Sequence, residues 1–274
     1  LFDDVKPDVL VTTISPRAEE AALRVALERG TPSMCLVDFF GGPGILRAAS
    51  PGYGTRVCVL SESTRKWLID RGRDPEDIVV TGNPAFDRLG EIDWAQRRFS
   101  YRKARGWENK KVILWASQIE PLPPEGSASG LPTRIEEKLQ EILERRRDWH
   151  LLVRPHPNES RRGHSLRGHT TLAEEGEPLD PMLAAADVVV IMTSTIGIEA
   201  RLVGKPVISV DLSVFTADAP FASEGLSLGI RDLNLLEEAI DQSIQTPVRF
   251  PSGYVRPGRA SRLVVEQIND LLKR

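Results

Sequence analysis

The residues from Ala184 to Asp211, AAADVVVIMTSTIGIEARLVGKPVISVD, constrain the fold of this chain more than any other stretch. They read as strand, turn, helix, strand. Val188-Val189-Val190-Ile191 is a short continuous apolar run, the pattern of a strand buried on both faces of a parallel sheet. Thr193-Ser194-Thr195 stand where a helix would begin. That helix would carry Ile198, Leu202 and Val203 on its apolar side, stop at Gly204 and be followed by Pro206. Val207–Val210 supplies the next strand. Hydroxyls at the carboxyl end of a parallel strand, opening a helix, suit an anion, because free backbone N–H groups and the positive end of the helix dipole point there. The same residues also suit plain architecture. Ser and Thr are ordinary N-caps worth about 1 kcal/mol, and Glu199 in the first turn is favourable with the dipole whatever it binds. Glu199 falls outside the three-residue spacing of a capping box from either Ser194 or Thr195.

The remainder alternates in the same way. Strands are expected at 8–13, 33–38, 56–60 and 77–80, then at 111–116, 150–154 and 170–173. Helices are expected at 16–29, 62–71, 94–107, 133–147, 181–186, 232–245 and 259–272. Strands alternating with helices predict an α/β protein of two Rossmann-like, doubly wound parallel sheets. The Gly82-Asn83-Pro84 turn punctuates the chain. It sets a first domain over 1–90 and a nucleotide-binding domain with a closing C-terminal helix over 91–274. The start, Leu1-Phe2-Asp3-Asp4, lacks an initiator Met and runs almost directly into a strand, so the first domain is expected to be incomplete on its N-terminal side. The glycine-rich loop from Phe39 to Gly54 fits neither the dinucleotide fingerprint nor the P-loop. A flexible lid and a phosphate cradle both remain open for it.

Composition removes several functions. A net charge of −3 argues against nucleic acid as the partner. No apolar run approaches the ~18 residues that cross a bilayer. The basic segment Trp94–Trp107 reads as a solvated helix face, with peripheral membrane contact as its alternative. Cys35 and Cys58 both fall in expected strands, so they read as buried thiols in a reducing, cytoplasmic setting. Four histidines without Cys/His ligand spacing, and no clustered carboxylates, give no metal site and no cofactor.

Open parallel sheets bind ligands beyond the carboxyl ends of their strands. In the second domain those ends are Ser117-Gln118, Arg154-Pro155-His156-Pro157, Thr193-Ser194-Thr195 and Asp211. Arg154, His156 and the hydroxyls suit a phosphate or diphosphate, through bidentate pairing, a ring donor and helix-start N–H groups. Ser117, Arg154, Ser194 and Thr195 are therefore candidate phosphate contacts. Glu199, one turn into its helix, is placed to reach ribose hydroxyls. His156 is the first candidate catalytic residue, although a histidine between two prolines also serves as a loop residue bonded to backbone. Asp38, at the carboxyl end of the second strand, is the second; acidic residues there also commonly bond loop amides.

Asp8-Val9-Leu10-Val11, Asp77–Pro84, Arg154-Pro155-His156-Pro157 and Ser194–Ala200 with Gly204-Lys205-Pro206 together resemble the GT-B superfamily. That superfamily includes nucleotide-sugar glycosyltransferases, CDP-glycerol and capsule-polysaccharide transferases, and non-hydrolysing UDP-N-acetylglucosamine 2-epimerases. The resemblance covers the second domain and the later half of the first. It implies two Rossmann-like domains facing a cleft, with the nucleotide held mainly by the C-terminal one. It also implies a last helix that packs back toward the first domain, and catalysis without a metal. Carried over by motif, Ser194 and Thr195 would meet the phosphates and Glu199 the ribose, while His156 would stabilise the leaving phosphate. The implied partners are a UDP- or CMP/CDP-linked sugar donor and a glycan or lipid-linked acceptor, with transfer of a sugar or polyol phosphate as the reaction. The alternatives are a nucleotide-sugar 2-epimerase and a catalytically silent nucleotide-sugar-binding module. The epimerases carry His-Arg-Arg-Glu-Asn after the first strand of the second domain, where this chain has Ser117-Gln118-Ile119-Glu120.

Overall fold

The structure, a computed structural model, describes residues 2–15, 17–121, 130–159 and 166–273. Pro16, most of the loop between Glu120 and Pro132, and the basic residues 160–165 lie outside them. The described chain divides into two compact units, Leu1–Glu91 with Ser252–Arg274, and Ile92–Pro251. Residues 252–274 thus group with the first sheet instead of continuing the second unit.

The first unit holds a four-stranded parallel sheet in the order β1 (Leu10–Thr13), β2 (Ser33–Val37), β3 (Arg56–Val59), β4 (Ile78–Val80). After a short turn of helix α1 (Phe2–Val5), α2 (Ala18–Glu28) and α3 (Glu62–Ile69) connect the strands. Leu23, Val37, Val57, Val59 and Leu68 pack on one face of the sheet. Met34 and Cys58 on the other face meet Val264 and Leu271 of the last helix, α9 (Ala260–Leu272). That helix is fastened by charge as well as packing. The Asp87 carboxylate accepts from the amides of Gly258 (2.9 Å), Ala260 (2.9 Å) and Ser261 (2.7 Å), satisfying donors that a helix start leaves unpaired. Arg56 also bonds Gln267 of α9. Both cysteines are buried free thiols, each pushed up to about 12 by burial.

Part of the glycine-rich loop is helical and packed. Pro43–Ala49 forms a 3-10 helix whose Ile45, Ala48 and Ala49 are buried in the core of the first unit. Gly41 is required by close approach, since a Cβ there would lie 2.5 Å from the Trp67 ring.

The second unit is a six-stranded parallel sheet in the order β10-β9-β8-β5-β6-β7. Its strands are β5 (Lys111–Ala116), β6 (Trp149–Arg154), β7 (Thr170–Leu172), β8 (Val188–Ile191), β9 (Val207–Val210) and β10 (Leu228–Ile230). Between them run α5 (Leu131–Arg145), α6 (Leu179–Ala185) and α7 (Ile196–Leu202), and α8 (Leu236–Gln245) follows β10. In α5, Ile135, Leu139, Ile142 and Leu143 recur at helical spacing and face a core built around Trp115 and Trp149. From β5 the chain winds outward one way to β7, then returns beside β5 as β8 and winds the other way. The reversal lies between β5 and β8, which pair Ile113 with Val188 and Trp115 with Val190.

The basic segment expected to be a solvated face is α4 (Trp94–Arg105), which keeps Arg97 and Lys103 exposed but engages Arg98 and Arg102 in the packing. Arg102, only 6% exposed, donates to Ala185 O and Asp187. Arg98 donates to the carbonyls of Ala184, Ala185 and Ala186 and to Asp187 Oδ1. Lys205 adds bonds to Ala184 O and Ala186 O, and burial brings its ammonium down to about 8. Three cations thus close the carbonyl end of α6, where helix C-termini favour positive charge. Among the described residues no helix is long and apolar enough to cross a membrane.

Candidate functional site

The site begins with three neighbouring residues that follow β5. Each reaches a loop after a different strand. Ser117 Oγ donates to Glu159 Oε1 (2.9 Å) in the loop after β6. Gln118 Oε1 accepts the Thr193 amide (2.7 Å) after β8, and its Nε2 donates to Thr193 Oγ1 (3.2 Å). Glu120 accepts from Ser213 Oγ and from the Val214 amide (2.9 Å each) after β9. The segment leaving the central strand therefore stitches the carboxyl edge of the sheet together, across the point where the topology reverses. That is where doubly wound sheets open a crevice for ligand.

His156 is placed by the same stitching. The Glu159 carboxylate that meets Ser117 also accepts the His156 amide (3.0 Å), while the Glu159 amide donates back to His156 O (2.8 Å). This reciprocal turn has the form of a capping box on a single turn of chain. The Asn158 amide donates to His156 Nδ1 (3.2 Å). A neutral imidazole whose Nδ1 accepts must carry its proton on Nε2, so the ring presents an N–H donor. The side chain is half-buried.

Arg154, at the last position of β6, donates to Glu177 O (2.8 Å). Burial lowers its proton affinity, and the carboxylates of Glu177 and Glu199 oppose that shift. Its guanidinium is thus engaged with the loop before α6 and faces Glu199, which is 9% exposed on α7. The Ser194 hydroxyl accepts the Ile196 amide (3.3 Å) in the turn that opens α7, and Thr195 is exposed with no side-chain cap bond. Gly197 in that helix is enforced by packing, since a Cβ would meet Ile191 at 2.5 Å and the Phe221 ring at 2.7 Å. Asp38 is exposed just past β2 and belongs to the other unit.

The structure brings Ser117 and His156 together through Glu159, and Arg154 and Glu199 together by charge. Sequence reasoning did not single out Glu159 and Glu177. The signal for Glu159 was present as an acid three residues after His156; Glu177 meets Arg154 through its backbone carbonyl and its charge, while its carboxylate bonds Tyr101 and Arg105. Among the described residues no three His, Cys, Asp or Glu side chains gather as a metal site would require.

No family model and no curated protein matches the chain by sequence. Solved structures match it by shape. UDP-GlcNAc 2-epimerase from Neisseria meningitidis, bound to UDP-GlcNAc, aligns with a TM-score of 0.70 and 17% identity, over 98% of this chain and 78% of that one. The glycosyltransferase of kitacinnamycin aligns with a TM-score of 0.66 and 18% identity, over 99% of this chain and 77% of that one. The wall teichoic acid polymerase TagF aligns with a TM-score of 0.55 and 11% identity, over the whole of this chain and 91% of that one. The chain has the GT-B fold, with two Rossmann-like parallel sheets of four and six strands.

Proposed function

We propose that this GT-B chain is a nucleotide-sugar-dependent transferase, moving a sugar or polyol phosphate to a surface-glycan precursor. In this reading the donor's phosphates lie at the carboxyl edge of the six-stranded sheet. The single observation behind it is the fixed His156 ring, whose Nε2–H is presented beside strand ends that Ser117, Gln118 and Glu159 hold together. As the bond between donor carbon and phosphate oxygen breaks, negative charge grows on that oxygen. A pre-oriented N–H stabilises the charge most at that moment, and such terms are often the largest in catalysis. The hydroxyls of Ser194 and Thr195 at the start of α7 would hold the phosphates, and Glu199 a ribose hydroxyl. Arg154 acts by charge and by fixing the Glu177 loop. Asp38 is proposed as a catalytic residue from its place at a strand end of the first unit, so Asp38→Asn should lower turnover while donor binding persists.

Calorimetry with UDP, CMP, CDP and GDP tests the reading, on the wild type and on His156→Ala and Glu199→Gln. One nucleotide class should bind, and each substitution should weaken it or abolish turnover. Indifference to all four nucleotides would make the carboxyl edge architecture and end the proposal.

An epimerase reading is supported by solved structures of UDP-GlcNAc 2-epimerases, which align over 98% of this chain at TM-scores of 0.69–0.70. Conversion of UDP-GlcNAc to its C2 epimer without any acceptor would select it. Against it stands the segment after β5, where Ser117 and Gln118 are occupied in bonds between loops. Tight nucleotide binding with neither transfer, epimerisation nor hydrolysis would instead mark a silent binding module.

A further inference from the structure

The opposite edge of the six-stranded sheet carries a second concavity, of about 250 Å³. It opens where β9 and β10 begin, at Pro206-Val207 and Ser227-Leu228, and where α7 and α8 end. Parallel strands put all these starts on one edge, away from the carboxyl ends that carry His156 and Ser194. Two arginines line it, Arg201 from the last turn of α7 and Arg249 from the loop after α8.

Arg201 is held in a way that a purely structural arginine is not. Its NH2 donates to Arg249 O (3.1 Å), but its Nε is buried and has no partner among the described residues. Burial lowers its proton affinity and no carboxylate charge offsets that burial. Arg56 and Arg73 also leave Nε without a partner; what sets Arg201 apart from Arg73, Arg98 and Arg102 is the lack of a carboxylate ion pair among the described residues. Arg73 reaches Asp77, and Arg102 and Arg98 share Asp187. The half-buried Arg201 guanidinium thus has no carboxylate ion pair among the described residues, in a pocket that the exposed Arg249 also lines. Such an arrangement is costly unless an anion completes it.

We propose that this pocket is a second anion site, remote from the His156 edge, which takes inorganic phosphate or a small phosphomonoester. Phosphate is favoured because guanidinium groups bind its oxygens through paired N–H donors. Gln242 and the buried Ser243, also in the lining, add further polar groups than two carboxylate oxygens could use. The volume admits the phosphoryl group and only a short body, below the size of ordinary drug-sized pockets. The apolar walls of Val207, Leu226 and Leu228 suit the carbon part of such a body.

The test is phosphate titration of the full chain, followed by calorimetry and by the Arg201 Nε–H resonance, against chloride at equal ionic strength. Glycerol phosphate is the second probe. Phosphate should shift the Arg201 resonance, and Arg249→Gln should weaken binding about tenfold, as loss of a charge-assisted contact does. Arg201→Lys, which keeps the charge but removes the planar fork, should weaken it as well. Arg249 is exposed on a loop, so its substitution decides the matter even where an Arg201 variant folds poorly. His156→Ala should leave this titration unchanged, which separates the site from the nucleotide reading. Binding unaltered by Arg249→Gln and Arg201→Lys, or no effect of phosphate beyond that of chloride, would overturn the proposal.

Discussion

At the carboxyl ends of the four-stranded sheet, Thr13, Ser61 and Asn83 serve their own neighbourhood, while Asp87 reaches the start of α9. Thr13 Oγ1 donates to Glu19 (2.7 Å), whose carboxylate also accepts the Ser15 amide (2.9 Å). Ser61 caps α3 by accepting the Thr64 amide (3.3 Å), and Asn83 accepts the Ala85 amide (2.9 Å). At the carboxyl ends of the six-stranded sheet the same kinds of residue reach far along the chain. Ser117 meets Glu159 42 positions away, Gln118 meets Thr193 75 away, and Ser213 meets Glu120 93 away. Local bonds of the first kind stabilise one turn each. Bonds of the second kind fix several loops against one another, and a binding edge needs that fixity because its groups must already be in place when ligand arrives. The contrast is the reason we propose the second sheet as the place of the candidate site.

The largest break in that contrast should come from Asp187→Ala. Asp187 accepts from Arg98, Arg102 and the Val112 amide, so its loss leaves two guanidinium groups without their shared carboxylate. Urea unfolding should show a loss of about 3–5 kcal/mol. Burial tends to raise the Asp187 pKa, but the Val112 and Arg98 hydrogen bonds and the Arg102 charge outweigh it and hold the carboxyl below its usual range. Its stabilisation is therefore complete above the ordinary carboxylate pKa and is lost as pH falls through the lower, native value.

His150 offers a milder lever on the same sheet. It packs on Trp107 with ring centroids 4.1 Å apart and shares a bond with Thr171 (2.9 Å). Burial, aided by the charges of His169 and Lys110, lowers its pKa from 6.5 to about 4. The unfolded chain takes up a proton below pH 6.5 while the native chain does not, so stability should fall as pH drops from 6.5 toward 4. The expected loss is about 2–3 kcal/mol. His150→Gln should flatten that dependence, read by circular dichroism across the interval.

Gln118→Ala sharpens the comparison directly. It leaves the Thr193 amide without its 2.7 Å partner, and unfolding should show a loss of about 1–2 kcal/mol. Nucleotide affinity should fall with it. Ser61→Ala, its counterpart in the first unit, should cost about 1 kcal/mol through the lost cap and leave nucleotide affinity unchanged. Equal effects of the two substitutions on binding would dissolve the distinction between the edges.

Much of this fold was legible because its signals are local. The apolar runs at Lys111–Ala116, Val188–Ile191 and Val207–Val210 are strands with those bounds, and α9 differs from its expected span by one residue. β10 was missed. Leu228-Gly229-Ile230 is too short to show a period, and it becomes a strand only by pairing with Ile208–Val210 of β9. The face of α4 was legible in part, since Arg97, Phe99, Ser100 and Lys103 are exposed while Arg98 and Arg102 are engaged. Those two arginines look solvated in sequence, and only the packing of α4 on α6 supplies the carbonyls and the Asp187 carboxylate that hold them.

The candidate site divides along the same line. Strand ends, hydroxyls and the His156 loop follow from spacing, because a parallel α/β pattern sends every strand end of a sheet to one edge. Periodicity and caps act over a few residues, and those the sequence alone determined. Which carboxylate meets Ser117, which way the His156 proton points and what Arg154 holds depend on residues tens of positions apart. Only tertiary structure decided those, since strand order and register choose which loops become neighbours.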